Sequence, residues 1–364
     1  MNPSFWLNRK VLVTGHTGFK GGWLSLWLQQ LGAKVTGYSL PPPTSPSLFE
    51  VAEVGLRMDS RIGDVRDLDT VKALVSEIKP DVIFHLAAQP LVRYSYDHPV
   101  ETYTTNLIGS LNLLEAVRHS GGVRAVVMVT SDKCYENNAT RSAPFTENSP
   151  MGGFDPYSSS KGAMELMVSS YRRSYFPSDR YPEHGTAIAT VRAGNVIGGG
   201  DWAADRLVPD AIQAFANNQP VTIRNPQATR PWQHVLDPLS GYLLLAQQLF
   251  NTGTDLAEGW NFGPSARDEQ TVGWIMDRLT QLWGNGAAWQ TSEDQHPHEA
   301  MQLTLDCSKA LQRLNWQPRW DIEQGLKATI AWYKDLQDYS SSVYNLTCDQ
   351  IGQYERYRLP HCRT

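Results

Sequence analysis

The sequence predicts an α/β protein, a doubly wound parallel sheet followed by a smaller, mostly helical C-terminal domain. Three observations carry this. Short apolar runs alternate with segments of helical period through the first half. A glycine-spaced turn, Gly15-His-Thr-Gly-Phe-Lys-Gly21, follows the first apolar run. After about Gly194 the alternation breaks into short pieces at Gly198-Gly-Gly200, Pro209, Pro220, Pro226 and Pro231. Strands alternating with helices form βαβ units, whose sheets are parallel and covered on both faces.

Residues 11–14 read as the first strand and 21–31 as the first helix, stopped by Gly32. Residues 34–39 give the second strand, and Pro41-Pro-Pro43 begins a stiff connection. A weaker strand lies near 57–62. The helix at 68–78 is closed by Pro80. Residues 82–86 are a strong strand, 101–119 one long helix closed by Gly121-Gly122, and 124–130 the next buried strand. A helix at 157–176 and a strand at 187–192 complete the series. The chain divides into a dinucleotide-binding unit at 1–193 and a second unit at 194–364, some of whose segments cross back to the first.

Length and composition bound the function. A chain of 364 residues, 41% apolar, suits two units with sizeable cores. A net charge of -5 gives no electrostatic case for a nucleic-acid partner. The scattered Cys134, Cys307, Cys348 and Cys362 show no CxxC spacing, as expected of free thiols in a reducing compartment. No run approaches the ~18 apolar residues of a membrane helix, and no apolar signal region opens the chain. The expectation is a soluble, cytoplasmic protein. His296 and His298 lack a ligand cluster, so no metal is expected.

The turn with Gly15, Thr17, Gly18, Phe19, Lys20 and Gly21 lies between the first strand and first helix, where a dinucleotide's pyrophosphate meets a helix N-terminus. That placement makes a Rossmann-like unit. Asp64 and Val65 after the third strand suit the adenine, though Asp64 also fits a helix N-cap, since Asp67 and Leu68 start the next helix. Leu86, Ala87 and Ala88 close the fourth strand with little bulk, so a cofactor can pass near the backbone. The acid expected at the end of the second strand is missing, since the chain reads Gly37-Tyr-Ser-Leu40. NAD and NADP are therefore not separated there. Lys20 meets a phosphate or points to water.

Tyr157-Ser-Ser-Ser-Lys161 puts a phenol and an ammonium on one helix face. A nearby cation lowers a phenol's pKa and suits it to take a hydroxyl proton. Ser131, Asp132 and Lys133 follow the fifth strand, an acid beside a base at a sheet edge. Alone, those three residues also fit a solvated turn.

Together, Gly15…Gly18…Gly21, Leu86-Ala-Ala88, Ser131, Tyr157…Lys161 and Arg192 resemble the extended short-chain dehydrogenase/reductase family. The similarity covers nearly the whole chain, with Asp306-Cys-Ser-Lys309 and Leu314-Asn-Trp-Gln-Pro318 matching its C-terminal pattern. Ser131-Asp132-Lys133 falls where its nucleotide-sugar 4,6-dehydratases have a hydroxyl, an acid and a base. Lys133 departs from their usual Glu, and this sequence is similar to the branch that takes CDP-glucose. The resemblance implies a lyase of deoxysugar (lipopolysaccharide) biosynthesis that removes water by internal hydride transfer through bound NAD. A redox-neutral cycle favours NAD over NADP. It assigns Ser131, Tyr157 and Lys161 to C4 oxidation, Asp132 to the C6 acid and Lys133 to the C5 base. It places Asn195, Arg206, Arg230 and, more weakly, His298 on the nucleotide sugar. Trp202, Trp232 and Trp260 either stack on a base or fill the core. The helices at 101–119 and 157–176 suit a homodimer interface. Two rivals stand beside this: a nucleotide-sugar 4-epimerase, or a dehydratase of a dTDP- or GDP-hexose. A non-catalytic dinucleotide sensor has no use for an intact Ser131/Tyr157/Lys161 set.

Overall fold

The computed structural model describes residues 2–137, 143–292, 303–337 and 342–357. Seven strands form one sheet: β1 (Lys10–Thr14), β2 (Lys34–Ser39), β3 (Asp59–Ile62), β4 (Val82–His85), β5 (Ala125–Val129), β6 (Ala187–Ala193) and β7 (Gly259–Phe262). Their order is β7-β6-β5-β4-β1-β2-β3, and every pairing is parallel. The order reverses between β1 and β4, so the turns after these strands flank one crevice.

The strands alternate between two cores. Val11 and Val13 face one side of the sheet and Leu12 the other; Val127 and Val129 oppose Val126 and Met128 in the same way. The longer helices among the described residues are α1 (Phe19–Gln30), α2 (Leu68–Ile78), α3 (Gly109–Ser120), α4 (Pro156–Ser174), α5 (Leu207–Ala216), α6 (Leu236–Thr252), α7 (Val272–Trp283), α8 (Ile322–Gln337) and α9 (Val343–Arg356). Helix α4 starts on an Asp155 cap that accepts from the Ser158 amide, with Pro156 in the first turn. Its buried face carries Tyr157, Lys161, Glu165 and Val168.

The single helix expected at 101–119 is interrupted. It runs as Pro99–Tyr103, a wider π turn at Thr104–Ile108, then α3. Buried Asn106 in that turn donates to Gln89 O and Ser160 Oγ and accepts from the Gln89 amide, bonds that tie it to the β4 loop and to α4. Such side-chain demands are invisible to periodicity.

The second half contributes to the first. Strand β7 pairs with β6, and α6 packs on β5 and β6. Among the described residues, three two-stranded pairs, Val196–Ile197 with Gln233–His234, Thr229–Pro231 with Glu269–Thr271, and Val221–Ile223 with Trp289–Thr291, each bring one strand to the far wall of the crevice. Among the described residues, no helix is long and apolar enough to cross a membrane.

Candidate active site

One cleft of about 1250 Å³ runs along the carboxyl ends of β1, β4 and β5. Its lining includes the glycine turn, Asp64 and Val65, Leu86 to Ala88, Ser131 to Lys133, Tyr157 and Lys161, and Asn195, Arg206 and Arg230. His298 lies outside the described residues. Every other predicted site residue lines this one space.

The glycine turn fits a dinucleotide by its shape. Gly15 has φ +79°, and a Cβ on it would sit 2.7 Å from the Ala87 amide nitrogen. A Cβ on Gly21 would sit 2.0 Å from the Gly15 carbonyl oxygen. The turn is thus pressed against both the β4 loop and its own helix, leaving α1's first amides at the cleft. Thr17 bonds Ser39 Oγ at 2.8 Å, at the end of β2 where the ribose acid is missing. Asp64 is held by Arg66, which keeps its carboxyl below the usual range. Buried His16, from the same turn, bonds Ser60 Oγ at 2.7 Å and is pushed down to about 4 by burial.

The second cluster is built by β5 and α4. Ser131 Oγ donates to Asp132 Oδ1 at 3.0 Å and accepts from the Lys133 amide at 3.2 Å. Asp132 is buried, and burial raises its pKa against the pull of Lys133, Ser131, Lys20 and Arg230. Tyr157 is also buried, which raises its phenol to about 12; a bond with Ser131 and the charge of Arg206 oppose the rise. Lys161 lies on the same buried face of α4 as Tyr157. Its ammonium donates to Val129 O at 3.1 Å, and burial, then Lys20, lower it to about 8. Lys20 likewise falls to about 8, first through burial and then through Arg206, while Asp132 and Asp201 oppose the fall. Its charged neighbours therefore lie on the turn after β5 and on the Asp201 to Arg206 segment across the cleft.

On the far wall Arg206 pairs with Asp201 at 2.8 Å. Arg230 is buried and donates to Thr229 O at 2.9 Å. Trp260 is wholly buried under Lys309 and Arg313, so it belongs to the core. Trp232 lines the cleft but is tied to Gln270 O; Trp202 lines it and packs on Trp332 and Tyr333. Sequence reasoning missed Thr130, Glu165 and Asp201. Glu165 was discernible as the next step of the 157, 161 face; the other two carry no spacing signal.

Residues 12–329 match the family described as GDP-mannose 4,6 dehydratase. The chain is 53% identical over 334 residues to a CDP-glucose 4,6-dehydratase of Salmonella typhimurium, covering 92% of this chain and 93% of that one. It is 26% identical to a dTDP-glucose 4,6-dehydratase of Haemophilus influenzae, over 89% of this chain and 97% of the relative. Among solved structures, a UDP-glucose 4-epimerase of Thermotoga maritima superposes with a TM-score of 0.77 at 22% identity, covering 90% of this chain and 99% of that one. At that identity the likeness concerns the fold.

Proposed function

The chain belongs to the GDP-mannose 4,6-dehydratase family, within the extended short-chain dehydrogenases/reductases, and from that premise we propose that it dehydrates CDP-D-glucose to CDP-4-keto-6-deoxy-D-glucose. The observation that carries the reading is the run Ser131-Asp132-Lys133 at the end of β5, in the same cleft wall as Tyr157. A 4-epimerase needs the Tyr and the hydroxyl but no second acid and base. The 53% identity with a CDP-glucose 4,6-dehydratase supports the choice of nucleotide.

Gly15 to Gly21 would hold the pyrophosphate of NAD, and Asp64 and Val65 its adenine; the cofactor would supply a hydride acceptor for C4 and then a hydride donor for C6. Tyr157 takes the C4 hydroxyl proton while Ser131 holds that oxygen. The new ketone acidifies C5–H. Lys133 removes the C5 proton; Asp132 gives its proton to the C6 oxygen as the C6–O bond breaks, and water leaves. The hydride taken from C4 would end on C6 and a proton on C5, so the cycle would be redox-neutral. Burial moves Asp132 toward the protonated form this acid needs. Arg206, Arg230 and Asn195 line the side where the diphosphate would lie, and Arg forks suit its oxygens. The part of the chain after 194 is thus assigned most nucleotide-sugar contacts. We assign the enzyme to the cytoplasm and to a homodimer; Val100 and Ile108 near α3 and Leu166 on α4 are exposed apolar residues that support the latter.

The test is incubation with CDP-, dTDP-, GDP- and UDP-glucose, scored by NMR. A C6 methyl group formed from the CDP-sugar is expected. Inversion at C4 with C6 intact would replace the reading with the epimerase.

A further inference from the structure

The two sets of reacting groups stand on different elements. Tyr157 and Lys161 stand on α4, while Ser131, Asp132 and Lys133 stand on the turn after β5. Something must fix one against the other to within a fraction of an ångström. One buried ion pair touches both. Glu165 lies one helical turn beyond Lys161, and Arg192 comes from β6. Glu165 Oε1 accepts from Thr130 Oγ1 at 2.6 Å and Arg192 Nε at 2.7 Å. Glu165 Oε2 accepts from Thr190 Oγ1 at 2.7 Å and Arg192 Nη2 at 2.8 Å. Thr130 immediately precedes Ser131. At the other end of the turn, Tyr135 OH accepts from Arg192 Nη1 at 2.7 Å and donates to Asn261 Oδ1 at 2.7 Å. The pair therefore grips the turn at both ends, and it is buried on both sides. A Cβ on Gly162 of α4 would lie 3.2 Å from Cys134 O, so turn and helix are also in close contact.

We propose that the Glu165–Arg192 pair is a positioning device that holds residues 130–135 in register with α4, and that Thr130 is its contact on the reacting side. This rests on the dehydratase reading. Its consequence is a division between the half-reactions. Loosening the turn leaves Tyr157 and Lys161 in place and shifts only Ser131 of the oxidising set, so C4 oxidation is slowed but survives. It displaces Asp132 and Lys133, so elimination fails. A purely structural pair would weaken both alike.

Each oxygen of Glu165 takes one threonine and one arginine nitrogen, which supplies a matched control. Thr130→Val and Thr190→Val each delete one hydroxyl on the same carboxylate; the Thr130 hydroxyl also reaches Val191 O at 3.1 Å, a carbonyl that keeps its bond from the Thr130 amide at 2.9 Å. With CDP-glucose and NAD, Thr130→Val should lose methyl product by about tenfold to a hundredfold, since a ~1 Å misplacement can cost ~10²-fold. Reduced cofactor and 4-keto-hexose should accumulate on it, and C5 exchange with deuterated water should fall. Thr190→Val should partition as the parent enzyme does, and Thr130→Ser, which keeps the hydroxyl, should restore the parent pattern. Thr130→Ala deletes the same group with less bulk and carries the same expectation where valine is not accommodated. Equal partitioning in the Thr130 and Thr190 variants, with the parent fully active, overturns the inference alone. A parent enzyme that forms no C6 methyl group takes down the dehydratase reading and this inference with it.

Discussion

Replacing Gly21 by alanine tests the cofactor cradle. The added Cβ would lie 2.0 Å from the Gly15 carbonyl oxygen and 2.9 Å from the His16 Cα. Close C···O contacts in proteins are about 3.3 Å, so the overlap is roughly 1.3 Å. Both atoms it meets are backbone, and no rotamer relieves them. The turn itself must move. Overpacking of this kind costs about 1–3 kcal/mol, which is about 5- to 150-fold in affinity if it falls on the bound turn. Gly22→Ala is the control. It lies next along the same helix and gains the same helix propensity, but its Cβ would meet Leu48 Cδ2 at 2.9 Å, a side-chain methyl that can rotate away. Calorimetric titration with NAD should show the predicted loss for Gly21→Ala and a change within about twofold for Gly22→Ala. Parental affinity in Gly21→Ala would refute the cradle.

Lys133→Met should oxidise C4 and then stall, with little C5 deuterium exchange, whereas Asp132→Asn should keep the exchange without forming product. A Lys133→Met enzyme that yields 4-keto-6-deoxy sugar at near the parental rate removes this lysine as the base. Asp237 is buried in α6, accepts from the Arg319 amide at 2.7 Å and Tyr354 OH at 2.7 Å, and is pushed up to about 7 by burial. Its folded pKa exceeds the unfolded value, so its stabilising share is full below about pH 4 and is lost as pH rises through about 7, a difference of about 4 kcal/mol at most. The melting temperature of Asp237→Asn relative to the parent should therefore improve from pH 5 to pH 8; an unchanged gap contradicts the linkage. The proposed homodimer predicts that Leu166→Glu shifts sedimentation from dimer to monomer; a parent that sediments as a monomer would end that proposal, and an unaltered dimer would place the interface elsewhere.

Much of the sheet was legible because parallel strands are apolar on both faces and their turns carry glycine. Strands β1, β2, β4, β5 and β6 lie within a residue or two of where the runs put them. Strand β7 was not legible. Gly259-Trp-Asn-Phe262 is short, mixed in character and far in sequence from its partner β6, so only the closed fold reveals the pairing. The site was legible where chemistry needs fixed spacing, as in Gly15 to Gly21 and Tyr157 to Lys161. Electrostatics were not. Spacing put Lys161 on the phenol's face, but it could not show that the ammonium donates to Val129 O, a backbone atom of the sheet. Thr130 and Asp201 escaped because their partners, Glu165 and Arg206, are met only through the fold or a loop.

The phenol itself poses the last question. At about 12, Tyr157 holds its proton at neutral pH, and Lys161, charged below about 8, is bonded to Val129 O rather than to it. A phenol in this state is a poor base until another positive charge comes near, since a nearby cation favours the phenolate. An oxidised nicotinamide in the cleft would bring one such charge, and its reduction would remove it. Under the proposed mechanism Tyr157 would then be basic for C4 oxidation and a reluctant proton donor during the elimination assigned to Asp132 and Lys133. Tyr157→Phe deletes one oxygen from a buried ring and leaves the glycine turn untouched. It should reduce C4 oxidation by ~10²–10⁴-fold, the usual worth of a general base, while NAD binds nearly as before. Single-turnover absorbance of the reduced cofactor measures the first and calorimetry the second. Oxidation within about tenfold of the parent would mean that another group takes the C4 proton.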